Sequence, residues 1–285
     1  MGRWFKGNTH IHSTRSDGGK TCPELAEMYA AQGYDFLFFT DHWATSDLRL
    51  LGGSPPLLGL DGIELDGPDR TGSSFHVVAL GKFDGLARDM GLEAAMRAVR
   101  DQGGLLICAH PYWMGNTLDD VLRHGFDGVE AYNHICHWLN GKSEGGIHWD
   151  AMLLRNANVL GFAADDAHIS ADHPGWNGAW IMVNAPERTP NAILRAIRSG
   201  NFYSTRGPEF QAIEQRDGKL FLRTSPVKFV RLVGPNSSGW RIGSSSGPLA
   251  TETTADLPAD WLYVRVEVED DAGRRAWTNT LFVAE

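Results

Sequence analysis

Disulfides, membrane segments and a polyanionic partner all find little support in this chain. Its 285 residues include three cysteines, Cys22, Cys108 and Cys136, which are far apart and form no CxxC pair. A disulfide framework is therefore not expected, and a reducing, cytoplasmic setting fits better. No run approaches the ~18–20 apolar residues of a membrane helix, and the opening MGRWFKGNTHIHS lacks the apolar stretch of a signal peptide. Positive charge is also scarce, with 26 Lys and Arg against 35 Asp and Glu for a net charge of −9. A surface that tracks long nucleic acid needs clustered Lys and Arg, so extended nucleic acid is not an expected partner. A single nucleotide end in a small site remains compatible. Sequence repeats and long low-complexity tracts are missing too.

What is present has an order. Short apolar runs alternate with helical patterns up to about residue 205. Strands are expected over 5–11, 35–40, 57–65, 75–80, 105–109, 128–132 and 159–164. Thr21-Cys-Pro-Glu24 reads as a capping box with proline in the first turn, and Gly33 closes that helix. Leu92, Ala95, Met96 and Val99 show helical spacing before Gly103, and Thr189-Pro190 opens a third helix. Such alternation predicts parallel strands joined by crossover helices. Beyond Gly207 the texture changes to alternating stretches over 219–223, 229–233, 262–268 and 280–283, with turn-rich segments between them. The expected organisation is an α/β unit over 1–206 and a small antiparallel β-sandwich-like domain over 207–285.

Nine metal-type side chains punctuate the first unit: His10, His12, Asp17, His42, Glu64, His76, His110, Asp166 and His168. Imidazole and carboxylate suit borderline divalent ions, and nine exceed what one ion needs. His10 and His12 are two apart, so on a strand both point to one face, and the same holds for Asp166 and His168. His42, Glu64 and His110 each end or follow an expected strand. In an α/β barrel the carboxyl ends of strands converge on one mouth, where sites are built. Asp17 and His76 are the exceptions, one in a loop and one early in a strand. Taken singly, each feature has a plainer reading as a turn, a strand terminus or a core histidine. Together they favour a metal site.

Several segments also carry a resemblance. Thr9-His-Ile-His12, Ser16-Asp-Gly18, Phe39-Thr-Asp-His42, Ala109-His-Pro111 and Asp165-Asp-Ala-His168 resemble the motifs of the PHP (polymerase and histidinol phosphatase) superfamily. Tyr203-Ser-Thr-Arg-Gly-Pro208 and Arg275-Ala-Trp-Thr-Asn279 are similar to its carbaryl-hydrolase-like branch. The resemblance implies a distorted (β/α)7 barrel holding two or three ions of zinc, manganese or iron. It assigns His10, His12, Glu64 and Asp166 to one ion, with Glu64 bridging to a second held by His76 and His110. Asp17, His42 and His168 would hold the third. Asp165 would point away, and Asp41 would orient His42 or the chain. A hydroxide shared by two ions would then attack a phosphoryl or carbonyl centre.

Catalysis is expected to rest on Glu64, His42 and Arg206. Arg206, Arg15 and His134 are the candidates for holding substrate, with Lys20 a weaker one. Cys108 is expected on the same face as His110, as a small buried residue. Glu130, Tyr132 and Asn133 should border the mouth. His137, Trp138 and His148 are expected in a glycine-rich loop and, with His173 and Trp176, either stack on a ring or pack the loop. His124 is expected at the surface of a helix. The leading expectation is hydrolysis of a small phosphate mono- or diester. A carbamate, ester or amide hydrolase using the same site is the alternative, and a non-catalytic metal-loaded binding module is a third reading.

Overall fold

The computed structural model describes residues 2–46, 48–52 and 57–283. Seven strands lie side by side in chain order: β1 (Arg3–Asn8), β2 (Phe36–Phe39), β3 (Leu58–Pro68), β4 (Ser74–Leu80), β5 (Leu105–Cys108), β6 (Gly128–Asn133) and β7 (Leu160–Ala164). An isolated parallel bridge between Ile11 and Ala167 ties the end of β7 back to the end of β1. It is backed by His12 N–H donating to Ala167 O and Asp166 N–H donating to His10 O, both at 3.0 Å. The first helix, Cys22–Ala31, starts at the Thr21–Glu24 capping box read from the sequence.

The strands are not all parallel, as alternation had suggested. β4 runs antiparallel to both β3 and β5. Only residues 69–73 join β3 to β4, too few for the dozen or more of a parallel crossover. Asp69 closes that turn by accepting hydrogen bonds from Thr71 N, Thr71 Oγ1 and Ser73 N. The reversal explains His76, which stands early in β4 in register with Asp66, late in β3. Both lie at the end where the other candidate ligands collect.

Alternation along the strands sets the layers. Phe36 and Phe38 of β2, Leu60 of β3, Val78 and Leu80 of β4, and Phe162 of β7 pack together with the apolar face of helix Pro190–Arg198. Continuing each strand in steps of two from these residues reaches His42, Glu64, His76 and Asp166. Burial of each such side chain contributes roughly 1.5–3 kcal/mol, so the register that places the ligands is well determined. The opposite faces pack under helices Cys22–Ala31 and Leu92–Asp101. Cys108 lies in that outer layer, with Leu106, rather than facing the ligands. His110 does not follow its parity, because the chain leaves β5 at Cys108 and takes φ 28° at His110.

Within residues 1–206 two strands escaped the sequence reading, β8 (Trp180–Ala185) and β9 (Phe202–Thr205), and in the C-terminal part four more did, over 210–216, 239–242, 250–256 and 275–278. β8 pairs antiparallel with β1, and β9 with β8. The C-terminal strands are β10 (Phe210–Arg216), β11 (Lys219–Val227), β12 (Phe229–Val233), β13 (Gly239–Ile242), β14 (Ala250–Asp256), β15 (Tyr263–Glu269), β16 (Arg275–Thr278) and β17 (Phe282–Val283). β10, β11 and β14 form a separate antiparallel sheet. β13, β12, β15 and β16 instead extend the large sheet, through Ala276 opposite Thr205 and Trp277 opposite Ser204. Leu220 and Leu222 of the small sheet pack on Val230, Val266, Val268 and Tyr203 of the large one. This is a mixed α/β fold with one large sheet and a second antiparallel sheet. No described helix is long and apolar enough to cross a membrane.

Candidate metal centre

All nine candidate side chains meet in one cluster. Four overlapping sets have donor atoms within 4.8 Å of one another: His12, Asp17, His42 and His168; His10, His12 and Asp166; His10, Glu64 and His110; and His42, Glu64 and His76. The expected grouping changes in three respects. His12 joins the Asp17, His42 and His168 set as well as the His10 set, His42 also reaches Glu64 and His76, and His110 groups with His10 and Glu64 rather than with His76.

Glu64 is buried at the centre and divides its oxygens. Oε2 lies 3.2 Å from both His10 Nε2 and His12 Nε2 and 3.3 Å from His42 Nε2. Oε1 lies 2.9 Å from His76 Nδ1 and 3.4 Å from His110 Nε2. Asp166 divides similarly, with Oδ1 at 3.3 and 3.1 Å from His10 and His12 Nε2, and Oδ2 at 3.6 Å from His110 Nε2. Asp17, at the rim, reaches His168 Nε2 at 3.2 Å and His12 Nδ1 at 3.3 Å.

The residues present fit divalent ions. Four ligands held about 2.0–2.1 Å from one ion in a tetrahedron stand about 3.3–3.4 Å apart. The contacts of His10 Nε2 and His12 Nε2 with each other, at 3.1 Å, and with Glu64 Oε2 and Asp166 Oδ1, at 3.1–3.3 Å, approach those edges. Asp166 Oδ1 and His110 Nδ1 are buried with no hydrogen-bond partner. Two imidazole nitrogens at 3.1 Å need a shared proton or a cation between them.

Charge within the cluster follows from the same contacts. Burial works against a charged His12, yet Asp166 and Glu64 raise it from its ordinary 6.5 to about 9. Burial opposes a charged His10 too, but Asp166, Glu64 and Glu130 hold it well above the usual value. For Glu64, burial favours the neutral acid, and His10 and His76 overcome it and keep the carboxyl well below its usual range. Asp166 is held down by His10 and His12 against the same penalty.

A second layer orients these groups. Glu130 Oε1 lies 2.8 Å from His10 Nδ1, and its Oε2 accepts from His110 N–H at 2.9 Å and Asn133 Nδ2 at 2.8 Å. Glu130 is buried rather than bordering the mouth. The acceptor on His42 Nδ1 is Asp66 Oδ1 at 3.0 Å, not Asp41. Asp41 instead accepts from Ser13, Ser16 and Ser46 and orders the loop that carries Asp17. Asp66 gave no motif signal, and only pairing with His76 across β3 and β4 could have revealed it. Asp165 points away, accepting from Tyr29 OH and from Gly178 and Ala179 N–H.

Strain collects here. Trp43, His110, Asp166 and Ile169 have φ between 28° and 52°, and each is a candidate ligand or follows one. Side chains rarely adopt such values, and a branched Ile there costs of order 1–3 kcal/mol.

Above the cluster opens a cavity of about 300 Å³. Besides seven of the candidate ligands it is lined by Trp113, Ile135, Cys136, Leu139 and His173. The expected substrate-holding residues lie elsewhere. Helix His134–Asn140 turns residues 135, 136 and 139 toward the cavity, which leaves His134 and His137 on its other side. There His134 meets Tyr132, and the Arg206 guanidinium covers the Tyr132 ring at 4.1 Å. Arg15 lines a different hollow with Lys82 and Asp84, and Lys20 is 3.7 Å from Glu24. Trp176 packs on Tyr29. His148 is buried in helix Gly146–Leu153 against Asn116 O, in place of the expected loop. His124 is not a free surface residue, since its Nε2 lies 3.0 Å from the buried Asp69.

No family model matches the chain. A phosphoribosyl 1,2-cyclic phosphate 1,2-diphosphodiesterase from Eggerthella lenta is 36% identical over 80 residues, 27% of this chain and 30% of that protein. The match thus spans less than a third of that relative's length. Among solved structures, a two-domain protein from Bacteroides vulgatus containing a predicted PHP-like metal-dependent phosphoesterase aligns over 98% of this chain and 96% of its own, with a TM-score of 0.51 at 15% identity. The two share a fold. An amidohydrolase from Chromobacterium violaceum, solved with bound sulfate and no metal, aligns over 60% of this chain and 90% of its own, with a TM-score of 0.45 at 17% identity.

Proposed function

We propose that this protein is a metal-dependent phosphoesterase that hydrolyses a small phosphate mono- or diester. The observation that carries this reading is the split of both Glu64 oxygens between two sets of imidazoles, as sites for paired ions require. The nine side chains suit two or three ions of the zinc, manganese or iron type. When bound, such ions acidify a water toward neutral pH and set positive charge against the phosphoryl oxygens.

The chain's own groups prepare the site. Glu130 Oε1 keeps the proton of His10 on Nδ1, and Asp66 Oδ1 does the same for His42. The Asp166 carbonyl holds that of His168 on Nδ1 at 2.9 Å. Once its Nε2 proton is displaced, each imidazole presents that lone pair to an ion held among the carboxylates. The name of the Eggerthella lenta relative, a diesterase for a cyclic phosphate, supports including diesters among the substrates.

The same reading takes residues 1–206 as a distorted (β/α)7 PHP barrel and 207–285 as an appended β-domain, with the carbaryl-hydrolase-like branch as its nearest type. The bridge from β7 back to β1 supports the barrel. A panel of phosphate mono- and diesters, assayed beside an aryl carbamate on protein loaded with manganese or zinc, tests the function. Hydrolysis of a phosphate ester is expected, read as phosphate freed from a monoester or as alcohol and monoester formed from a diester. Carbamate cleavage with no phosphate ester hydrolysed overturns it.

A further inference from the structure

The cavity has two unlike halves. Ligand imidazoles and carboxylates make its floor, and the rest of its lining is the apolar wall residues Trp113, Ile135, Cys136 and Leu139 with one further imidazole, His173. The wall starts at the floor. Trp113 packs its ring edge-to-face on His110 and His76, with centroids 5.3 and 6.2 Å apart. Cys136 is buried, and burial holds its thiol far above the ordinary range, so it meets a ligand as a small apolar surface. Leu139 carries the wall out to the rim, where it is 39% exposed, beside Trp138 at 48%. A phosphoryl group held on the floor therefore has apolar atoms next to its ester oxygen.

We propose that this wall takes the leaving group, and that the substrate is a phosphate ester of an apolar, ring-bearing alcohol rather than of a sugar or polyol. The inference rests on the phosphoesterase reading and narrows it. A cavity of about 300 Å³ is at the small end for ligand sites, with room for a phosphoryl group and one ring. Hydroxyls of a polyol laid on Trp113, Ile135 and Leu139 would lose water without gaining partners, whereas a ring there is desolvated favourably. Hydrolysis breaks the phosphorus–oxygen bond to this alcohol. The water oxygen joins phosphorus, and a water proton leaves on the alcohol.

Benzyl phosphate and glycerol 3-phosphate, both esters of primary alcohols, give a comparison in which the leaving chemistry is similar. On metal-loaded protein, kcat/KM for the benzyl ester is expected to be at least about tenfold higher. Leu139→Asn, at the exposed rim, should lower that ratio several-fold. Equal rates, or a preference for the glycerol ester, overturn the proposal while leaving the phosphoesterase reading standing. If neither ester is cleaved, binding decides the wall's role. Benzylphosphonate should then raise the melting temperature of the metal-loaded protein more than methylphosphonate does. Equal shifts with the two phosphonates overturn the proposal.

Discussion

Metal affinity should depend steeply on pH through a range where ordinary histidines have finished titrating. His12, raised to about 9 by Asp166 and Glu64, carries a proton in the metal-free protein at neutral pH. An ion can take its Nε2 only after displacing that proton. At pH 7 the competition weakens apparent affinity by about 100-fold, two pH units below the group's own value. His10, also held well above its usual value, faces His12 across 3.1 Å, where one proton between the two nitrogens serves both. The dissociation constant of the first ion should then fall by about 10-fold per pH unit below pH 9, with about one proton released per ion at pH 7.5. Glu64 and Asp166 are held low and contribute no proton there. Calorimetric titration of chelator-treated protein with zinc, repeated in buffers of different ionisation enthalpy, counts the protons. Release of fewer than about half a proton, or an affinity flat between pH 7 and 8.5, refutes the charge state argued for this cluster.

Three further outcomes follow from the same contacts. In metal-free protein the raised value of His12 contributes stability fully present below its unfolded value near 6.5 and lost as pH climbs through about 9; at about 1.4 kcal/mol per unit this is up to about 3 kcal/mol, visible as falling urea midpoints from pH 6.5 to 9.5. Glu130→Gln replaces the carboxylate on His10 Nδ1 and should weaken metal binding about 10–100-fold, read by competition with a chromophoric chelator; unchanged affinity would remove Glu130 from the account. In Gly18→Ala the new Cβ would lie 2.2 Å from the His12 carbonyl, so the loop bearing Asp17 must move, and metal stoichiometry should drop while far-ultraviolet dichroism stays near wild type.

Much of this centre was legible because strand alternation is a strict constraint. Once Phe36–Phe39 is a buried strand, His42 must share a face with Phe36 and Phe38, and Glu64 follows from Leu60 in the same way. His76 looked misplaced only because the hairpin at Asp69–Ser73 was not read as a reversal. Short-range pattern also says nothing about which strands lie across a sheet, so Asp66 beside His42, and the pairing of Arg275–Thr278 with Phe202–Thr205, were hidden. Arg206 shows the opposite failure. Its motif suggested a role at the site, but its guanidinium lies over the Tyr132 ring and it does not line the cavity.

The central claim is that the nine side chains hold the ions on which turnover depends. Anomalous diffraction from crystals of active protein grown with manganese tests it most directly. At least two peaks are predicted inside the cluster, one among His10, His12, Glu64 and Asp166 and one beside Glu64 Oε1 with His76 and His110. Active crystals with no peak there, or with manganese only at the separate Asp69, Glu93 and His124 group, would contradict the account.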